Sequence, residues 1–227
     1  MLGDAVTYAR SGDEALKRLL IGGAVQLGAA VLFVPGVFIY GYLLRVVRDA
    51  VNGRAGGLPA WDDWGELGMD GLKAVLVVVA YTIPAVFVAV VVPILGVFVL
   101  PFGTAAGGGV GRAGAGASTG VSLFLLVFVF GILLATVLVL LAYYLLPAAL
   151  VGLATRGELG AAFRWSALRR LALSKTYFVG MVIVALVALI GGLVATPLML
   201  LLVGFVLQFL VLVVVAHVAG QTVAKAA

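Results

Sequence analysis

The chain has 227 residues and a net charge of +5, from 14 Lys+Arg against 9 Asp+Glu. The AVILMFWYC set makes up 65% of it and charged residues only 10%, against roughly 45–50% apolar and about 25% charged in soluble domains. Such a chain cannot clothe itself in polar groups, so its solvent is largely lipid. It has no cysteine and one histidine, which excludes disulfides, thiolate chemistry and a multi-histidine metal site within one chain. The basic residues are scattered between apolar blocks, so nucleic acid is not an expected partner. The excess charge orients the chain and touches anionic lipid instead. A cleaved leader is not expected: Asp4, Asp13 and Glu14 interrupt the basic start, and Val34-Pro35-Gly36 is no small-x-small cleavage site.

Ser11-x-x-Glu14 matches a capping box and predicts a short interfacial helix over 11–18. The first apolar block, 19–52, is broken by Pro35-Gly36. Read as a hairpin turning at that pair, it makes six spans in the chain; read as one helix, it makes five. Residues 61–71 predict an interfacial Trp/Asp helix. Spans are expected over 72–102, with Pro84 and Pro93 inside, and over 121–146, just before Pro147. Between them, 103–120 is a glycine-rich outer linker. Its Gly109-x-Gly111-x-x-Gly114 lacks the strand, the βαβ unit and the downstream acid of a dinucleotide site. Thr155-x-x-Glu158 repeats the capping box and opens an interfacial helix over 158–173. That segment is not cleanly amphipathic, because Arg164, Leu168 and Arg169 fall around the wheel, and it is expected half buried against the bundle. A second hairpin covers 177–219, turning near Gly191-Gly192 or Pro197.

The positive-inside rule chooses between the two counts. Six spans put 13 basic residues on one side and Arg112 alone on the other, whereas five spans split them 10 to 4. The expected fold is therefore an all-α, polytopic transmembrane bundle of six spans. It is a multi-pass cell-membrane protein with both termini in the cytoplasm.

One segment is distinctive. In Leu58-Pro59-Ala60-Trp61-Asp62-Asp63-Trp64-Gly65-Glu66-Leu67-Gly68-Met69-Asp70-Gly71-Leu72-Lys73, a helix starts near Asp62 or Asp63, with an Asp63/Glu66 capping pair. Asp63, Glu66, Asp70 and Lys73 fall on one stripe, and Trp61 and Trp64 on another face. Tryptophan favours the headgroup zone. The acids read as a solvated face, a partner-docking stripe, or oxygen ligands for a hard cation such as Mg²⁺ or Ca²⁺. A lone helical stripe is a poor cage for such an ion, so no metal site is expected.

These residues also carry a resemblance. Gly41-Tyr42-Leu43-Leu44-Arg45-Val46-Val47-Arg48, Asn52-Gly53, Leu58-Pro59-x-Trp61-Asp62-Asp63-Trp64-Gly65 and Asp70-Gly71-Leu72-Lys73 are similar to a prokaryotic, mainly archaeal, membrane family catalogued as domain of unknown function 4013. Phe163-x-Trp165 before Tyr177, and Gly220-Gln221, resemble it too. Its members usually carry a less glycine-rich loop where 103–120 lies. The resemblance implies a membrane fold and no particular reaction.

Polar chemistry at depth is sparse. Gln26, Gln208 and His217 are the candidate polar intramembrane residues. His217 lies one turn from Gln221, so a local hydrogen bond is its plain reading and a proton-linked role the sharper one. No Ser/His/Asp set is arguable. No catalytic residue and no cofactor are expected, and the chain is not expected to be an enzyme. A scaffold or accessory membrane protein fits best; it would meet lipid and a protein partner or second copy through small-residue faces such as Ala24/Gly28 and Ala216/Gly220. A pore or transporter for a small or apolar solute comes second, using kinks at Pro84 and Pro93. A membrane enzyme with the Asp62–Asp70 acids as a metal site comes third.

Overall fold

The computed structural model describes the backbone of residues 2–12, 14–54, 56–105 and 113–226, and the side chains of those outside 99–121. Among the described residues every regular element is a helix. In order these are α1 (Leu2–Arg10), α2 (Ala15–Val31), α3 (Phe33–Val51), α4 (Trp64–Ala105), α5 (Ala113–Arg156), a short 3-10 helix (Leu159–Phe163), α6 (Trp165–Ala172), α7 (Lys175–Leu198), a 3-10 turn (Met199–Leu201) and α8 (Val203–Ala226). Four helical stretches are long and apolar enough to cross a membrane: Trp64–Phe98, Ser122–Arg156, Lys175–Leu201 and Val203–Ala226.

Helix boundaries differ from the expectations where local chemistry intervenes. The first hairpin breaks at Leu32, which is extended (φ −125°, ψ 128°), and not at Pro35-Gly36. A proline clashes with the carbonyl four residues before it but fits a helix's first turn. Pro35 therefore ends α2 at Val31 and sits in the opening turn of α3. Neither capping box forms. Glu14 holds the N-cap position of α2 without a side-chain cap, and Ser11 Oγ donates to the Tyr8 carbonyl at 3.1 Å. Thr155 Oγ donates to the carbonyls of Val151 and Gly152, inside its own helix. The segment expected as one helix over 11–18 thus holds the end of α1, a break and the start of α2. The Trp/Asp segment is no separate interfacial helix either, because its residues from Trp64 onward are the first turns of α4. Of the glycine-rich stretch, 106–112 lie outside the described residues; 103–105 end α4 and 113–120 begin α5. The second hairpin turns at 199–202, beyond Pro197.

The chain divides into two compact units. The first takes Met1–Val78 and Tyr144–Ala227. Its core is the C-terminal half of α8, where Val213, Val218, Thr222 and their neighbours are buried. The helices α2, α3 and α7 pack on α8 through small residues. Gly22 meets Phe209, Gly180 meets Thr222, and Gly220 meets Val47 and Ala50. The Ala216/Gly220 face is therefore used inside the chain. The second unit, Val79–Tyr143, pairs the later part of α4 with α5. Gly131 sits on Val92, and an apolar cavity of about 320 Å³ lies between Val88, Val92, Pro93, Phe128 and Ala135.

Candidate functional site: a charged brace between two motif halves

The two halves of the distinctive motif meet each other. The contact begins with backbone. A Cβ on Gly41 of α3 would run into the Leu67 carbonyl, and one on Gly71 of α4 into the Val37 carbonyl. Only glycine lets the two helices approach so closely, which accounts for Gly41 of the Gly-Tyr pair and Gly71 of the Asp-Gly-Leu-Lys run.

The loop entering α4 is fastened by side chains that reach its carbonyls. The Arg18 guanidinium donates to the Leu58 carbonyl, and the Tyr42 hydroxyl to that of Pro59 at 2.9 Å. Arg45 donates to the carbonyls of Ala60 (3.3 Å) and Asp62 (3.2 Å). Trp61 closes the set: its indole N–H donates to the Arg18 carbonyl at 3.0 Å, and its ring stacks on Tyr42 at 4.3 Å. Phe209 stands 5.8 Å from the Trp61 ring and Trp64 5.7 Å, and Phe38 meets Trp64 edge-on at 5.5 Å. Trp61 is thus a packing residue of the bundle, while Trp64 is exposed.

Three of the segment's four acids pair with the arginines of α3. Arg45 pairs with Asp62 at 2.7 Å and Glu66 at 3.6 Å. Arg48 pairs with Asp70 at 3.0 Å, the side chains being 32% and 12% exposed, and its Nε donates to the Ala154 carbonyl at 2.9 Å. Lys73 caps the end of α5 through the Gly157 carbonyl at 3.1 Å. Asp63 takes a left-handed backbone (φ 46°), tolerated by aspartate, and its carbonyl accepts from the Leu67 N–H at 2.9 Å. Glu66 turns to Arg45, so it does not serve the expected capping pair. Among the described residues no three acidic or histidine side chains converge as a metal cage.

A second polar cluster lies where α1 crosses α3 and α8. The Tyr8 hydroxyl donates to Asp49 at 3.1 Å, and Arg54 reaches the other Asp49 oxygen at 3.4 Å. Burial, reinforced by the Asp49 carboxylate, holds the Tyr8 hydroxyl well above its ordinary pKa. Tyr8 also stacks on buried His217 at 4.3 Å, and His217 Nε2 lies 3.1 Å from the Gln221 amide nitrogen. A pocket of about 360 Å³ opens beside them, lined by Asp4, Thr7, Arg54 and Gln221. Gln26 on α2 and Gln208 on α8 each keep a buried Oε1 that no donor reaches among the described residues. No hydrogen bond joins these two to His217.

Among the residues that do most at the motif, Tyr42, Arg45 and Arg48 stand in the run that carries the family resemblance but were given no role as site residues, and Arg18 lies outside that run. The signal that could have found them is spacing. Arg45 and Arg48 stand one turn apart on α3, as Glu66 and Asp70 do on α4, so two facing helices carry matched opposite charge.

The fold and site define an all-helical chain with helices suited to a bilayer and a brace of ion pairs at its motif. Residues 27–200 match the family model described as "Protein of unknown function (DUF4013)", and the chain belongs to that family. The matched range takes in the whole brace except Arg18, and leaves out Gly220-Gln221. No curated protein and no solved structure matches the chain.

Proposed function

We propose that the chain is an integral scaffold or accessory protein of the cell membrane, of archaeal type, with both termini in the cytoplasm. One observation carries this reading: three of the four acids of its motif are engaged with arginines of the same motif. Asp62, Glu66 and Asp70 are taken up by Arg45 and Arg48, so they brace two helices instead of presenting a reactive centre. The Ala24/Gly28 face of α2 is left open beside Ile21, Val25, Pro35 and Phe38, and offers a packing surface to a partner span or second copy.

We read the first hairpin as a loop that enters the bilayer and returns. It has 13 uncharged residues from Leu19 to Val31 and 12 from Phe33 to Leu44. Those arms reach roughly 20 Å, against about 30 Å of hydrocarbon. The tip, with Phe33 98% exposed, bears only apolar side chains from Val31 to Val34. Two full spans there would give the six-span count and the same sidedness elsewhere.

Affinity purification of the tagged chain from native membranes tests the scaffold reading. A stoichiometric membrane partner, or a homo-oligomer cross-linked at Ala24→Cys, supports it. A chain that purifies alone as a monomer and carries solute flux in liposomes overturns it. Cysteine labelling tests the topology. Arg112→Cys should react from outside intact cells, and Asn52→Cys and Ser166→Cys only after permeabilisation. A returning hairpin leaves Val34→Cys unlabelled by a polar reagent from outside, whereas two spans expose it.

A further inference from the structure

Among the described residues, the connection between α5 and α7 gathers four cations that no carboxylate answers. Arg164, Arg169, Arg170 and Lys175 are all exposed. No carboxylate among the described residues lies within 4.0 Å of any of them. The arginines of α3, by contrast, each have an acid. The segment is not a floppy loop. A break at Arg164 (ψ 83°) separates the 3-10 helix from α6. With the register restarted at Trp165, the faces become clean: Leu168 is buried, Leu171 and Ala172 are half buried one turn on, and Arg169 and Arg170 point away. Treating 158–173 as one helix hides this amphipathicity. The inner face is pinned by the Tyr144 hydroxyl, which donates to the Ala172 carbonyl at 2.7 Å, and by Ala162, fully buried. The outer face carries large apolar groups beside the cations: Phe163, Trp165 (64% exposed) and Leu173 (76% exposed).

Arginine interleaved with exposed tryptophan and leucine is unsuited to bulk water, and suited to the headgroup layer. There, cations meet phosphate, and aromatic rings find an apolar body of solvent with a polar edge. The segment also runs from the end of one span-length helix (Arg156) to the start of another (Lys175), which holds it at a bilayer surface.

We propose that Leu159–Lys175 is a binding surface for anionic phospholipid: Arg164, Arg169, Arg170 and Lys175 engage the phosphate while Phe163, Trp165 and Leu173 seat in the headgroup layer. This rests on the membrane reading above. The test reconstitutes the full chain in phosphatidylcholine bilayers with traces of spin-labelled phosphatidylglycerol or phosphatidylcholine, and reads from the motionally restricted fraction which lipid the protein prefers. The wild-type chain should prefer phosphatidylglycerol. R164Q/R169Q/R170Q should lower that preference at least about threefold, since each basic residue near an anionic surface contributes severalfold. R10Q/K17Q/K225Q, which removes as many charges elsewhere, should keep it. Inorganic phosphate at constant ionic strength should not compete. Equal loss in the two variants, an unchanged triple variant, or displacement by inorganic phosphate would overturn the proposal. If the triple variant does not insert, R169Q and R170Q singly are read the same way. A wild-type chain that fails to enter bilayers at all refutes the membrane reading instead.

Discussion

The two units are built from similarly apolar helices, yet they dispose of that apolar surface in opposite ways. In the first, Leu67, Val77, Tyr177 and Phe209 are fully buried, and almost all of the chain's charged groups lie within it. In the second, residues 79–143 contain a single charged residue, Arg112. Leu126, Phe130, Leu133 and Leu140 there are each more than half exposed. A soluble protein does not display a patch of that kind on this scale. The contrast teaches that hydrophobicity alone does not organise this chain. Lipid solvates apolar side chains about as well as other side chains do, so burial drives helix association weakly. What distinguishes the first unit is its polar inventory: ion pairs and carbonyl-directed arginines give its helices particular neighbours.

The largest effect that would sharpen this comparison comes from adding one methyl group in each unit. Gly41→Ala pushes a methyl into the Leu67 carbonyl. That is helix backbone and cannot yield, so folded protein should be lost, at about 3 kcal/mol or more. Gly96→Ala meets only edge carbons of the Phe124 ring, which can swing aside; it should retain most folded yield by size-exclusion in detergent. Comparable retention in the two would erase the distinction between them.

Leucine truncation comes next. Leu67→Ala, at a fully buried position, should cost about 2–5 kcal/mol in unfolding from bicelles. Leu133→Ala should change stability by less than about 0.5 kcal/mol, as at a surface site. Leu133→Arg should instead cost about 2.5–3.5 kcal/mol of insertion, the signature of a lipid-facing position. If Leu133→Arg proves neutral, water and not lipid bathes the second unit.

Smaller still is the joint neutralisation Asp62→Asn with Glu66→Gln. Both acids are exposed, so stability should fall by only about 0–1 kcal/mol. A collapse of folded yield would mean that the outer pairs, and not Arg48–Asp70, hold the brace.

Much of the helical architecture is legible in the sequence because long uncharged runs admit few other structures in lipid. The misplaced turn at Leu32 shows a local limit: Pro35 punctuates the chain upstream of itself, not at itself. Helix α1 escaped notice for another reason. Leu2–Arg10 is short and mixed, and its faces are defined only by what they meet, with Ala5, Tyr8 and Ala9 turned inward. The site was legible in half. Trp61, Asp62, Glu66 and Asp70 stand out as unusual residues in an apolar chain, but their partners lie about 20 positions upstream on another helix. One sequence records that pairing only as matched spacing. Arg45 and Arg48 stand in the Gly41–Arg48 run, but nothing in that run names the acids they meet.

The central claim is that the motif's charges serve each other. It is tested most directly by a double-mutant cycle on the least exposed pair, Arg48→Met and Asp70→Leu, followed by thermal unfolding in detergent. Each single change leaves the other group without its partner and should destabilise, by on the order of 3 kcal/mol for Arg48→Met. The double variant should recover most of that loss, so the effects are strongly non-additive. Additive effects, or an Asp70→Leu chain as stable as wild type, would contradict the brace and return the acids to the service of something outside the chain.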